Sequence, residues 1–160
     1  MRIIGNAHVK RALEIAEKGN HSTLIIGNLT NVLQDGQPWP DDAWFRQPCP
    51  CGNFSDPRLS CFCLLEDVQR HRSAFPSCKI TVELVRPIFN ELIQEKVIPK
   101  SIDDTAKRLL ETAYDKLSFA VQDIVHVLAV AYTIMAMDDA PNLRASHVAE
   151  AIQYKSLLKK

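Results

Sequence analysis

Residues 101–116 read SIDDTAKRLLETAYDK, and their apolar positions recur at the spacing of an α-helix, with Ser101 as the predicted N-cap. Residues 120–137 read AVQDIVHVLAVAYTIMAM and place apolar side chains on every face of a helix. Such a helix is expected to be the buried centre of a bundle. Residues 146–158, SHVAEAIQYKSLL, predict a further amphipathic helix. The last third of the chain therefore predicts a helical bundle.

The segments before this bundle predict a smaller mixed structure. Residues 6–18 have helical periodicity and are followed by Gly19, and the short apolar run at residues 22–27 is typical of a buried strand. A second strand is predicted at residues 79–85 and could pair with the first. Residues 28–47 are rich in proline and glycine, so we interpret them as a linker. Further helices are predicted at residues 64–74 and 87–96. The predicted fold class is α+β, mainly α.

The composition excludes several classes of protein. The 160 residues are 46% hydrophobic, which is enough for a core, and 19 basic residues balance 19 acidic ones. The balance argues against wholesale coating of nucleic acid or of a membrane surface. No apolar run reaches the ~20 residues of a membrane span, and the first residues lack the apolar core of a signal peptide. A cytoplasmic, reducing location is therefore expected, where cysteines are free thiols or metal ligands more often than disulfides.

Four of the five cysteines form two close pairs, Cys49-Pro-Cys51 and Cys61-Phe-Cys63. Two short chelating pairs joined by a turn suit a tetrahedral Zn²⁺ ion held by four thiolates. Such a closed site has no open position for water, so the predicted zinc is structural. The alternatives are unligated thiols or disulfides between the pairs. Cys78 stands apart and is interpreted as a small core residue.

A group of basic side chains surrounds the predicted metal loop and is the candidate for nucleic-acid contacts. Its members are Arg58, Arg70, His71 and Arg72. Basic residues of this kind contact phosphates in nucleic-acid-binding proteins, but small basic clusters are also common on solvated faces. Nucleic acid is therefore one potential partner.

Three stretches together resemble the magnesium-chelatase-like AAA+ family, which includes chelatase motor subunits and bacterial proteins tied to DNA processing in natural transformation. They are GNAHVKRALEIA (5–16) with LIIG (24–27), PCPCG (48–52) with CFC (61–63) and QRHR (69–72), and TI (133–134) with HVAEAIQY (147–154). The resemblance implies, in turn, the helix and strand before a phosphate loop, a cysteine insert with an arginine-rich helix, and the closing helices of a C-terminal lid.

The chain departs from this family where ATP is bound. Asn28 follows Gly27 directly, and no Gly-Lys-Ser/Thr occurs anywhere in the sequence. A βαβ unit takes about 30 residues, so the strand that carries the acidic magnesium-binding motif cannot fit between residues 28 and 48. The lid helix that carries arginines in the family has Gln122, His126, Ala129 and Tyr132 at the aligned positions. We therefore predict no catalytic and no nucleotide-binding residues, and we do not expect ATP as a cofactor.

These observations predict a degenerate family member with four parts. They are the remnant of an AAA+ core at residues 1–27, the linker at 28–47, a zinc-binding lobe and strand at 48–86, and a helical lid domain at 87–160. The favoured function is a non-catalytic, zinc-containing binding or assembly module. Its expected partner is a protein, either a second copy or a full-length relative, with DNA as a further candidate and no membrane. One alternative is an ATP-binding AAA+ subunit involved in DNA processing. The other is an evolutionary remnant that still folds but has lost its function.

Overall fold

The structure, a computed structural model, describes residues 1–54, 56 and 60–156, and the chain divides into two units, Met1–Arg86 and Pro87–Lys160. The first unit contains the strands and the second contains helices only within its described part. No helix in the described ranges combines the length and the apolar character needed to cross a bilayer.

The first unit is built on a three-stranded parallel sheet in the order β4-β2-β5. Its elements are β1 (Arg2–Ile3), α1 (Ala7–Gly19), β2 (Thr23–Ile26), β3 (Val32–Leu33), β4 (Ala43–Arg46), α2 (Leu65–Ser73) and β5 (Ile80–Glu83), with a 3₁₀ turn at Leu29–Asn31. The predicted pairing of the strands now identified as β2 and β5 is confirmed, with Ile25 opposite Val82. Strands β1 and β3 form a separate antiparallel pair.

Strand β4 was not predicted, because it lies in the segment interpreted as a linker. Residues 28–47 contain the 3₁₀ turn, β3 and β4, and the rest of this segment is irregular. The glycine and the two prolines of this segment lie outside Ala43–Arg46, which is an edge strand of the sheet. A parallel edge strand depends on its neighbour for its hydrogen bonds, so its local sequence is a weak signal.

The core of the first unit lies where α1 packs against the sheet. Its buried members are Ile3, Val9, Ile25, Val32 and Leu84. The Asn6 side chain fixes the start of α1 to the end of β5: its Oδ1 accepts from the Val85 N–H at 2.8 Å, and its Nδ2 donates to the Val85 carbonyl at 2.8 Å. Asn6 has a φ of 51°, a left-handed conformation that asparagine tolerates better than most residues.

The second unit is a bundle of α3 (Phe89–Gln94), α4 (Asp104–Lys116), α5 (Val121–Met137) and α6 (Ala145–Ser156). Helix α6 packs against both α4 and α5, with Val148 and Ala151 buried. The N-cap of α4 is Asp103 and not the predicted Ser101, since the Asp103 carboxylate accepts from the Ala106 N–H at 3.4 Å. The predicted mainly α character and the C-terminal helical bundle are confirmed.

The buried residues of α5 lie mainly in its first half. Val121, Ile124 and Val127 are buried, whereas Val130 is 40% exposed and Met137 is 77% exposed. The prediction that α5 is the buried centre is therefore wrong. Its apolar residues occur all round the helix, but its main packing partner is α6, so the second half of α5 is left partly uncovered.

Candidate metal centre

The first cysteine pair follows β4, and a tight turn orients it. The Gly52 N–H donates to the Cys49 carbonyl at 3.0 Å, and Gly52 has a φ of +83°, which glycine adopts at no steric cost. The Asn53 side chain donates to the Ser60 carbonyl at 3.1 Å and so brings the two ends of the connecting loop together. This contact places the second pair over the first.

The four sulfur atoms of Cys49, Cys51, Cys61 and Cys63 all lie within 4.8 Å of one another. The Cys49 sulfur is 3.3 Å from that of Cys51 and 3.8 Å from that of Cys61, and the Cys51 and Cys61 sulfurs are 3.6 Å apart. Four thiolates at ~2.3 Å from a tetrahedral Zn²⁺ lie about 3.8 Å apart. The cysteines are free thiols, so the predicted grouping is observed and the disulfide alternative is not. The structure brings together a donor set that fits a tetrahedral metal ion, and Cys78 lies outside it.

The crowding of these thiols shifts their pKa values apart. Burial alone would raise the pKa of Cys49, but hydrogen bonds from the Cys51 thiol and from backbone N–H groups lower it to about 6. A backbone hydrogen bond favours the Cys63 thiolate, but its side-chain contact with Cys51, burial and the nearby sulfurs raise the pKa of Cys63 to about 12. One thiol therefore ionises easily while its neighbour retains its proton. A divalent cation would relieve this conflict by replacing protons.

Helix α2 is attached to the backbone just before the first cysteine. The His71 Nε2 lies 2.9 Å from the Gln47 carbonyl, and the Arg72 Nε donates to the Pro48 carbonyl at 3.0 Å. The Arg72 guanidinium also lies 5.1 Å from the centre of the Phe54 ring. His71 and Arg72 therefore attach α2 to the backbone before Cys49, a structural role that their sequence pattern did not indicate.

The remaining residues predicted to contact nucleic acid are placed differently. Arg70 is exposed and lies 3.3 Å from Asp67 on the same helix. Arg58 lies outside the residues that the structure describes. Nucleic-acid binding by this group stays a prediction.

The carboxyl end of β2, where the family resemblance would place a phosphate loop, is closed. The space bordered there by Gly27, Asn28, Gly52 and Val85 amounts to about 20 Å³. That is close to the volume one water molecule needs. A Cβ on Gly27 would lie 2.9 Å from the Leu84 Cβ, so glycine is required for the close approach of β2 and the segment after β5.

Comparisons with known proteins identify the family. The model of the family described as "Magnesium chelatase, subunit ChlI C-terminal" matches residues 66–155, from α2 to α6. No curated protein gave a significant match. Among solved structures, the chain is similar to that of the Aeropyrum pernix ORC2 protein in its ADP form, with 12% identity and a TM-score of 0.38. That match covers 93% of this chain and 44% of the ORC2 chain, so the present chain spans less than half of it, and so weak a likeness carries no functional assignment. The family model covers more than half of the 160 residues, and the chain therefore belongs to the magnesium chelatase ChlI C-terminal family.

Proposed function

We propose that this chain is a zinc-containing binding module of the magnesium-chelatase-like AAA+ family that does not turn over ATP. The observation that carries the proposal is the closed carboxyl end of β2, with about 20 Å³ of space where the family resemblance implies a phosphate loop. Pockets for small molecules and cofactors usually measure about 300–1,000 Å³. The 3₁₀ turn Leu29–Asn31 stands in place of the loop.

The zinc component of the proposal rests on the four clustered sulfurs. Thiolates select soft or borderline metals, and a closed tetrahedral set of four cysteines is the usual structural zinc site. Within residues 47–63, the buried residues that the structure describes are Pro48, Cys49 and Gly52. So little apolar burial stabilises the loop only weakly, and a metal cross-link would add stabilisation. Four cysteines that are free of disulfide bonds also favour a reducing, cytoplasmic setting.

Uncovered apolar side chains beside the metal centre support a binding role. Phe62 is 89% exposed, and Leu64 and Leu65 are 68% and 66% exposed. Contiguous exposed apolar residues on a protein surface mark interaction sites. The partner in this proposal is a protein, either a second copy of the chain or a full-length relative that keeps its ATP site.

Nucleotide titration tests the non-catalytic part of the proposal. A fluorescent ATP analogue with Mg²⁺ is added to the zinc-loaded chain, and a full-length magnesium-chelatase-type motor subunit with an intact Gly-Lys-Ser/Thr serves as the positive control. We expect no saturable binding tighter than about 1 mM. Saturable micromolar binding at one site per chain would instead support the ATP-binding alternative.

Light scattering tests the binding part. The zinc-loaded chain is measured alone and after co-expression with a full-length relative, and Phe62→Ser is compared with Ile15→Ser, which removes an exposed apolar side chain from α1. We expect a dimer or a discrete complex that Phe62→Ser weakens and Ile15→Ser leaves intact. A monomer that forms no complex under either condition would favour a decayed remnant.

A further inference from the structure

A second, larger cavity lies at the opposite end of the sheet from the closed phosphate-loop position. It measures about 520 Å³ and is bordered by the second half of α1, by the amino ends of β2 and β4, and by the loop before β4. The side chains that matter for its chemistry are Glu17, His21, Thr23, Trp39, Asp41 and Asp42. The volume is in the range of small-molecule sites.

Two polar groups at this cavity have unused hydrogen-bonding capacity. Thr23 is fully buried, and its hydroxyl has no hydrogen-bond partner among the described residues. The buried Nδ1 of His21 has none either. The Thr23 backbone is fixed, since its N–H donates to the Asp42 carbonyl at 2.9 Å. A buried hydroxyl without a partner is unfavourable, and a ligand that donates a hydrogen bond to it would remove that cost.

The charged residues that border the cavity determine which charge a ligand should carry. Glu17, Asp41 and Asp42 all border it, and none forms an ion pair with a residue that the structure describes. No lysine or arginine is among the lining residues. Phosphates, nucleic acids and carboxylates are therefore repelled, while a cation is attracted.

The apolar part of the lining indicates the shape of that cation. Trp39 precedes Pro40, which restricts its backbone, and its ring packs against Phe45 with centroids 5.7 Å apart. Leu13 and Ala16 border the cavity from α1. An indole face attracts ammonium and guanidinium groups and also packs against aliphatic carbon.

We propose that this cavity binds a small organic cation, an ammonium or guanidinium group on an aliphatic stem. The carboxylates of Asp41, Asp42 and Glu17 pair with the cationic head, the Thr23 hydroxyl and the His21 Nδ1 accept its N–H groups, and Trp39 covers the stem. The site is separate from the metal centre and from the closed phosphate-loop position, so it goes beyond the function proposed above. The same chemistry is offered by a free diamine or guanidine and by a lysine or arginine side chain of a partner protein.

Tryptophan fluorescence gives a direct measurement. The sequence has two tryptophans, so Trp44→Phe leaves Trp39 as the single reporter. Agmatine, putrescine and the peptide acetyl-Gly-Arg-Gly-amide are titrated, with neutral 1,4-butanediol as the uncharged analogue. We expect a saturable change with the cations, weakened by salt, and none with butanediol. Tighter binding of agmatine than of the peptide would assign the site to a free small molecule, and the reverse order to a protein side chain.

Variants of the cavity test the assigned residues. Asp41→Asn with Asp42→Asn, both in an exposed loop, should weaken agmatine binding roughly three- to tenfold. Thr23→Val, which keeps the shape of the side chain, should also weaken it. Glu14→Gln removes a carboxylate from the same helix outside the cavity and should leave the affinity unchanged. Absence of a saturable change with every cation, an equal response to butanediol, or unchanged affinity in the Asp41/Asp42 double variant would overturn the proposal.

Discussion

The two units of the chain, Met1–Arg86 and Pro87–Lys160, bury their apolar side chains by different means. In the second unit, helices of up to 17 residues cover one another, and Leu110, Tyr114 and Ile124 are fully buried. In the first unit, strands of two to four residues are joined by long loops around a small cluster. The comparison shows that a helical bundle can supply its own core, whereas the described part of the cysteine loop buries few residues.

Loss of the metal should have the largest effect and should be confined to the first unit. Cys61→Ser removes one of the four clustered sulfurs, and structural zinc sites contribute an apparent ~10–16 kcal/mol. We expect zinc, measured by elemental analysis, to fall from about one equivalent to near zero, while Cys78→Ser retains it. Retention of zinc in Cys61→Ser together with its loss in Cys78→Ser would mean that the ligand set is wrong.

A cavity-creating substitution in the second unit should destabilise the protein less than loss of the metal does. It should leave the metal bound. Leu110 is fully buried in α4, so Leu110→Ala should lower the free energy of unfolding of this unit by about 2–5 kcal/mol. The neighbouring Leu109 is half-buried, and Leu109→Ala should lower the free energy of unfolding by clearly less. Thermal melts followed by circular dichroism measure both variants. If Leu110→Ala also releases zinc, the two units do not behave independently.

The pKa of Cys49 predicts a modest change in proton release. A lowered pKa of about 6 means that the metal-free chain carries the Cys49 thiolate above that pH and the thiol below it. Zinc must then displace nearly one additional proton at about pH 5 compared with about pH 7. Calorimetry in buffers of different ionisation enthalpy measures this number. Equal proton release at both pH values would show that Cys49 is not the readily ionised thiol.

Removal of the first unit should have the smallest effect on the second. Residues 87–160 expressed alone should keep their helical circular dichroism and a cooperative melt, because α4, α5 and α6 cover one another and need no cysteine ligand. The melting temperature should not respond to a zinc chelator. A fragment with little helicity and no cooperative transition would show that the bundle depends on the first unit or on a partner.

Sequence alone was sufficient where the signal is local. The helical periods of α1, α4, α5 and α6 predicted each helix to within a few residues, and the apolar runs predicted β2 and β5. The paired Cys-x-Cys spacing predicted which four cysteines come together. These features depend on side chains a few positions apart, so they can be recognised without knowledge of the fold.

Other features depend on residues that are distant in the sequence, and only the tertiary structure decided them. Ala43–Arg46 is a strand because β2 offers it hydrogen bonds, and Val130 and Met137 of α5 are exposed because the described helices leave them uncovered. The closed space beside Gly27 and the cavity beside Thr23 arise from segments brought together by the sheet. The sequence by itself determined which segments are helical and which thiols can chelate. Burial and cavities were decided by packing, because both depend on which surfaces meet.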